Sequence, residues 1–226
     1  MKFHDFFRHV LNPVVALILL PPFMASASAQ PTQFCANLNC TPTQQTLKNI
    51  CDFIVQEKST FPTIYVGGYY MRTLVAGYEV FGDRRYLDTA IAYGDYLVGK
   101  QMQNGFWSTG YGPVYLADTG SALGLFIVLH KHVDHERQKK YFDAVERYTD
   151  SLHNDGMIRP NGAFGTGWKQ IKNGTLTGPI YDQYTLSSAL TGAEIFTWMY
   201  HMTKQDKYRE ISYHALKWVL DRKSVV

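Results

Sequence analysis

Residues 181–204 read YDQYTLSSALTGAEIFTWMYHMTK, and this stretch decides how the rest of the chain is interpreted. Its apolar residues recur at steps of three and four, the period of an α-helix: Leu186, Leu190, Ala193, Phe196 and Tyr200. Between Asp182 and Lys204, Glu194 is the only acidic side chain, and no lysine or arginine occurs. A helix that is apolar on nearly all sides is usually enclosed by other helices. The stretch therefore predicts a buried helix over residues 184–203.

Two further parts of the chain repeat one pattern of tyrosine and aspartate. Residues 86–95 match residues 141–150 at a displacement of 55, and residues 206–210 form a looser third copy. Four positions of the first copy recur unchanged in the second: Tyr86, Asp88, Tyr93 and Asp95 correspond to Tyr141, Asp143, Tyr148 and Asp150. Repetition at such a spacing indicates stacked helical hairpins.

Each hairpin pairs a helix with few charges and a helix with many. The weakly charged helices are predicted over residues 69–81, 118–132 and 184–203, and the charged ones over 84–102, 135–154 and 206–222. This difference predicts an all-α fold with an enclosed inner layer and a solvated outer layer. Connections between hairpins are long and aromatic, and all of them emerge where the inner helices begin. We expect a ligand site on that face.

The N-terminal part of the chain reads as a targeting segment followed by an arm. Residues 1–29 have a basic start, a short apolar core and small-x-small cleavage sites, which together are typical of a secretory signal peptide. A retained N-terminal anchor is the alternative. Residues 30–65 form the predicted arm, with a helix over residues 43–58, and residues 66–226 form the hairpin domain. We expect a secreted or periplasmic protein without stable membrane insertion after signal cleavage.

Three cysteines precede the hairpins, and all belong to the expected mature chain. Either Cys35 pairs with Cys40, or Cys51 pairs with one of them, so that one thiol stays reduced. No histidine or cysteine lies at a metal-ligand spacing, so we expect neither a metal nor another cofactor. The net charge of +3 comes without a basic run, which argues against nucleic acid as a partner.

The segments YEVFGDRRYLDTAIAYGDYLV and MYHMTKQDKYREISYHALKWVL resemble inner-to-outer helix turns of the six-hairpin, or (α/α)6-toroid, superfamily. This superfamily includes unsaturated glucuronyl hydrolases, other glycoside hydrolases, polysaccharide lyases and sugar epimerases. The resemblance covers residues 66–226 and implies a carbohydrate-active protein with its cleft at the starts of the inner helices.

Only three hairpins are recognised where a full toroid has six. We therefore expect a partial barrel that corresponds to the N-terminal half of the toroid. The alternative is a short form that completes itself as a homo-oligomer, because an open half-ring exposes apolar edges.

Two carboxylates are predicted at the starts of inner helices. Asp118 lies at the start of the second inner helix and Asp182 at the start of the third. A pair of carboxylates in one cleft performs general acid–base work on glycosidic bonds. The resemblance also implies catalytic aspartates near such positions. The alternative for each residue is a helix N-cap.

Aromatic and basic residues of the long loops are the predicted substrate-binding groups. Their rings suit the C–H faces of sugars, and their cations suit a uronate carboxylate. The predicted residues are Trp107, Tyr111, Tyr115, Arg159, Trp168, Tyr181 and Tyr184, with Lys169 and Lys172 nearby. The alternative is that the aromatic residues close the loops over the core.

Together these features predict a hydrolase that acts on an acidic, uronate-containing oligosaccharide or polysaccharide; a lyase or epimerase is the less favoured chemistry. The alternative from another class is a non-catalytic helical-repeat module that binds a polysaccharide or a protein partner.

Overall fold

The computed structural model describes residues 41–57, 64–108, 112–172 and 174–223, which leaves the predicted signal segment 1–29 and most of the arm outside the described residues. The helices are α1 (Pro42–Gln56), α2 (Ile64–Phe81), α3 (Arg84–Lys100), α4 (Leu116–Leu129), α5 (His135–Asn154), α6 (Phe196–Thr203) and α7 (Asp206–Lys223). A short 3-10 helix, His130–His132, extends α4, and a π-helical segment, Ser187–Ile195, leads into α6.

The predicted division into an inner and an outer layer is confirmed. In α4, 11 of 14 residues are buried. In α5, which follows it, only six of 20 residues are buried. Helix α4 packs between α2 and the π-helical segment, and these three form the inner layer. The core is therefore built from the inner helices and from one side of each outer helix.

The repeated tyrosines and aspartates connect one outer helix to the next. The Tyr86 hydroxyl donates to the carboxylate of Asp52 in α1 at 2.7 Å. In the next copy, the Tyr141 hydroxyl donates to the carboxylate of Asp95 in α3 at 3.0 Å. Both tyrosines are fully buried, so each bond helps to satisfy a hydroxyl group that is shielded from water. The sequence repeat is thus a repeated contact between neighbouring hairpins.

Helix α1 extends the outer layer ahead of the first repeat. Its start is fixed by a capping box, in which Gln44 N–H donates to the Thr41 hydroxyl and Thr41 N–H donates to the Gln44 side chain. Cys51 of α1 is free and buried, and burial raises the pKa of its thiol to about 12. Of the two alternatives for the three cysteines, the one in which Cys51 forms a disulfide is therefore not realised. The alternative pair, Cys35 and Cys40, lies outside the described residues.

The third inner helix differs from the prediction in two ways. The strand that precedes it continues to Gln183, and its first half is the π-helical segment instead of an α-helix. The change in helical pitch moves side chains away from the faces expected for an α-helix, and Leu186, which directly precedes the segment, is 48% exposed. Ser187 is buried, and its hydroxyl has no hydrogen-bond partner within the described structure.

Residues 155–183 contain most of a three-stranded antiparallel sheet. Strands β2 (Gly165–Lys172) and β3 (Thr175–Gln183) pair as neighbours in the sequence. Strand β1 (Val114–Tyr115) adds to the other side of β2, a pairing that was not predicted. At Gly167, with φ of 143°, any side chain would collide with the Val114 carbonyl, so glycine allows β1 to approach.

Among the described residues, no helix is both long and apolar enough to cross a membrane.

Candidate functional site

The inner helices run parallel, so their N-terminal ends lie on one face. Gly68 of α2 approaches Ser121 of α4, and four residues further along, Arg72 approaches Gly124. Gly120 of α4 in turn approaches Leu190 of the π-helical segment. Residues at the same height along the three inner helices therefore lie next to one another. We call the surface at these N-terminal ends the mouth; it is formed by Tyr69, Tyr115, Asp118 and Tyr184.

Asp118 is the carboxylate at the mouth. It lies in the first turn of α4, two residues inside the helix, and Tyr115 occupies the N-cap position without a side-chain bond. The predicted alternative, an N-cap aspartate, is therefore not realised. No hydrogen bond or ion pair to its carboxylate occurs within the described structure. Burial raises the pKa of this carboxyl group, although a helix N-terminus favours negative charge.

A buried hydroxyl network fixes the start of α4 directly below Asp118. The Tyr148 hydroxyl lies 2.8 Å from Thr119 Oγ1 and 3.2 Å from Thr191 Oγ1. Thr191 in turn donates to the Leu116 carbonyl at 2.9 Å. The network joins α5, α4 and the π-helical segment. The turn that carries Asp118 is consequently held by side chains from two neighbouring elements.

Exposed tyrosines also lie near the starts of the inner helices. Tyr69 and Tyr70 are 42% and 40% exposed, and Asp118 lies within electrostatic range of the Tyr69 hydroxyl. Tyr184 is exposed to a similar degree and lies within electrostatic range of the Tyr69 hydroxyl. Tyr115, predicted as a binding residue, is also exposed. Tyrosine presents an apolar ring and a polar tip, which suits a sugar ring with its hydroxyl groups.

An ion pair lies below the tyrosines and was missed by sequence reasoning. Arg72 Nη2 of α2 donates to Glu194 Oε1 at 2.6 Å, and Nη1 lies 3.4 Å from Oε2. Both side chains are only 16% exposed. The pair passes over Gly124 of α4, where a side chain would collide with the guanidinium and would lie 3.3 Å from Glu194 Oε1. The only sequence signal was the isolated glutamate in an otherwise uncharged helix.

The charges of Arg72, Glu194 and Asp118 all act on the hydroxyl group of Tyr69. Burial is the largest cause that raises the pKa of its hydroxyl. The positive charge of Arg72 opposes this shift, whereas the carboxylates of Glu194 and Asp118 add to it. The two carboxylates therefore lie within electrostatic range of one hydroxyl group. Such a cluster of interacting titratable groups is a candidate for a catalytic site.

Asp182 does not lie at the start of an inner helix as predicted. It belongs to β3, and its side chain is exposed. Its backbone carbonyl accepts a hydrogen bond from the Thr166 hydroxyl at 2.9 Å. Strand pairing with β2 extends the chain through Gln183, which explains the difference. A catalytic role for Asp182 stays a prediction.

Basic residues lie on the three-stranded sheet or contact it. The Arg159 guanidinium stacks over the ring of Tyr181 at 5.0 Å. Tyr181 is 45% exposed. Lys169 and Lys172 project from β2 and are exposed. Arg159 therefore supplies a cation at an exposed ring, which is the combination predicted for an acidic sugar.

Both predicted tryptophans belong to the core instead of a sugar-binding surface. Trp107 is fully buried, and its indole N–H donates to the Leu97 carbonyl at 2.7 Å. Trp168 is 3% exposed and contacts Phe106 edge-on. Their burial leaves no ring face for a ligand, in agreement with the alternative that these rings close the loops. Tyr111 lies outside the described residues.

In the part of the chain that the structure describes, no group of three or more histidine, cysteine, aspartate or glutamate side chains is arranged to hold a metal ion.

The raised pKa of Asp118 gives a test that needs no substrate. The folded state binds the Asp118 proton more tightly than the unfolded chain does, so stability falls as pH rises from about 3.9 through the folded-state pKa. Asp118→Asn should therefore raise the melting temperature near neutral pH, and the gain should disappear at about pH 3. Thermal melts across this range check the effect. Asp88→Asn on exposed α3 is the control, and an equal gain at both ends of the range would contradict the prediction.

Comparison with known proteins shows similarity to solved structures but not to any known sequence family. No family model matches the sequence. A search of curated proteins finds no match. Among solved structures, an unsaturated glucuronyl hydrolase specific for heparin matches with a TM-score of 0.55 and 18% identity, over 75% of this chain and 47% of that chain. A family 76 glycoside hydrolase from a bovine Bacteroides thetaiotaomicron strain matches with a TM-score of 0.55 and 16% identity, over 66% of this chain and 33% of that chain.

These similarities confirm the fold class predicted from the repeats. The described residues form consecutive hairpins of a partial (α/α) toroid, the fold of six-hairpin glycosidases. The chain spans less than half the length of either matched structure. At these identities the likeness concerns the fold alone.

Proposed function

We propose that the protein is a carbohydrate-active enzyme that hydrolyses glycosidic bonds, with Asp118 as the general acid. The observation that carries this proposal is a half-buried carboxyl group with a raised pKa, which has no hydrogen-bond partner among the described residues and lies within electrostatic range of the exposed Tyr69. A general acid has to retain its proton until the leaving oxygen arrives, and burial favours the protonated form. The similar structures, both glycoside hydrolases, support the same chemistry.

The substrate we propose is an acidic, uronate-containing oligosaccharide or polysaccharide. Arg159, Lys169 and Lys172 provide positive charge beside the mouth, and Arg159 already lies over the ring of Tyr181. A uronate presents an apolar ring face and a carboxylate. An aromatic ring and a cation that lie next to each other on the protein can bind these two groups together. Residues 1–29 support secretion or export to the periplasm.

The proposal is tested with purified protein and a panel of oligosaccharides. The panel contains fragments of heparin, hyaluronan, polygalacturonate and alginate, with fragments of neutral xylan and mannan for comparison. Mass spectrometry identifies products that have gained one water. We expect turnover of at least one acidic fragment and a loss of about 100-fold or more in Asp118→Asn. Asp88→Asn, in which an exposed carboxylate of α3 is replaced, is the matched control.

The outcomes separate the alternatives. Cleavage limited to xylan or mannan would overturn the acidic substrate and leave the hydrolase in place. Products with a new double bond and no added water would indicate a lyase. Binding without turnover by a well-folded protein would favour the non-catalytic module. Turnover that persists in Asp118→Asn would overturn the role of Asp118.

A further inference from the structure

Several features that lower stability occur together around Glu194. The residue lies in the π-helical segment. This conformation is rare in proteins overall, but where it occurs it is often at a functional site. It forms a mostly buried ion pair with Arg72, which requires both charges to leave water. It also needs Gly124 in the middle of α4, where glycine destabilises a helix by about 0.5–1 kcal/mol relative to alanine. Such a cluster is expected where function requires a particular arrangement.

A clamp between helices does not account for these features. Apolar side chains of similar volume generally stabilise a buried contact as well as an ion pair does, and often better. The inner helices already share an extensive apolar core on either side of α4. A charged pair over a glycine is therefore explained better by a requirement for the charge itself.

The position of Glu194 relative to Asp118 fits a second catalytic carboxylate. Both carboxylates act on the Tyr69 hydroxyl. Glu194 Oε1 lies against Gly124, which follows Asp118 by six residues and hence by about 9 Å along the helix. Glycosidases that invert configuration use a second carboxylate, which activates a water molecule on the opposite face of the sugar ring.

We propose that Glu194 is the second catalytic carboxylate and acts as the base that activates water, while Arg72 balances its charge and fixes its orientation. This inference rests on the hydrolase activity proposed above. It assigns to Glu194 the role that the sequence had suggested for Asp182.

The reaction then proceeds in one displacement. Glu194 takes a proton from water, and the water oxygen forms a bond to the anomeric carbon. The bond from that carbon to the glycosidic oxygen breaks, and Asp118 gives its proton to the leaving oxygen. Glu194 returns its proton to solvent and Asp118 regains one, so that one water is consumed for each bond cleaved. Oε2 of Glu194, whose contact with Arg72 is the longer one at 3.4 Å, is the oxygen that accepts the proton. The product should have inverted configuration.

Two variants of Glu194 separate catalysis from structure. Glu194→Gln keeps the shape of the side chain and should lower kcat by about 100-fold or more. The double variant Arg72→Met/Glu194→Met replaces the ion pair by apolar side chains and should fold, but it should be equally inactive. The matched control is Glu210→Gln, which removes a glutamate paired with Arg209 on exposed α7. Activity retained by the double methionine variant would overturn the proposal.

A chemical rescue gives a readout that a structural role would not change. Azide is already a nucleophile and needs no base. In Glu194→Ala, added azide should restore cleavage of the same oligosaccharide and yield a glycosyl azide of inverted configuration. Nuclear magnetic resonance of freshly cleaved wild-type product should likewise show the inverted anomer first. A retained anomer from the wild type, or no rescue in a folded Glu194→Ala protein, would overturn the assignment.

Failure of this inference is distinct from failure of the proposed function. Wild-type turnover that is lost in Asp182→Asn and kept in Glu194→Gln would return the base to Asp182 and leave the hydrolase intact. No turnover of any fragment by folded wild-type protein would overturn the hydrolase, and the role of Glu194 with it.

Discussion

Arg72→Met alone should lower the free energy of unfolding by about 3 kcal/mol, which is among the largest effects expected from a single substitution at the mouth. The change leaves the carboxylate of Glu194 mostly buried without its partner. Removing one member of a buried ion pair is more destabilising than removing both, because the remaining charge stays desolvated. The remaining exposure of the pair, 16% for each side chain, places the value at the lower end of the usual range.

The double variant provides the comparison. Arg72→Met/Glu194→Met should recover most of the lost stability, since two methionines fill the space over Gly124 without charge. Urea unfolding of the wild type, the two single variants and the double variant forms a thermodynamic cycle. Equal losses in Arg72→Met and in the double variant would contradict this account. They would mean that the packing of the guanidinium, and not its charge, stabilises the inner layer.

The layered fold was predictable because the relevant information is local. Helical period and charge content separate an inner helix such as α4 from an outer helix such as α5 within a single window of sequence. The repeat was equally visible, because Tyr86 and Tyr141 make the same kind of contact with the preceding outer helix. Their partners, Asp52 and Asp95, show why the repeat is needed: each buried hydroxyl group requires an acceptor.

The site was predictable only in part, because its geometry depends on contacts between distant residues. Asp118 was found from its place at the start of an inner helix. Glu194 and Arg72 are 122 residues apart, and no local pattern connects them. The π-helical segment was also missed, since its sequence has the same apolar steps as an α-helix. The strand that contains Asp182 depends on pairing with β2, so its extent could not be judged from the helix that follows.

Aromatic loop residues illustrate the same limit, since exposure is not encoded in residue type. From the sequence, Trp107 and Tyr181 were both assigned to long loops and predicted to contact sugar. One is fully buried and the other is 45% exposed. We therefore expect substitutions of the two rings to have opposite effects: one should lower stability and the other should weaken binding.

Trp107→Ala should lower the free energy of unfolding by about 3–5 kcal/mol, because the substitution removes a fully buried ring and leaves a cavity. It also removes the hydrogen bond to the Leu97 carbonyl, which the ring otherwise satisfies at 2.7 Å. The ring lies beside Tyr148, so the hydroxyl network below Asp118 should loosen as well. Urea unfolding followed by circular dichroism measures the loss.

Tyr181→Ala should show the reverse behaviour. Its exposed ring contributes little to stability, so the free energy of unfolding should change by no more than about 0.5 kcal/mol. If the mouth binds an acidic sugar, calorimetry with a heparin tetrasaccharide or a polygalacturonate tetrasaccharide should show weaker binding for this variant. Tyr213→Ala, which removes a tyrosine that is 58% exposed on α7, is the control and should change neither quantity. A stable Trp107→Ala protein that has lost sugar binding would return Trp107 to the ligand surface and contradict its assignment to the core.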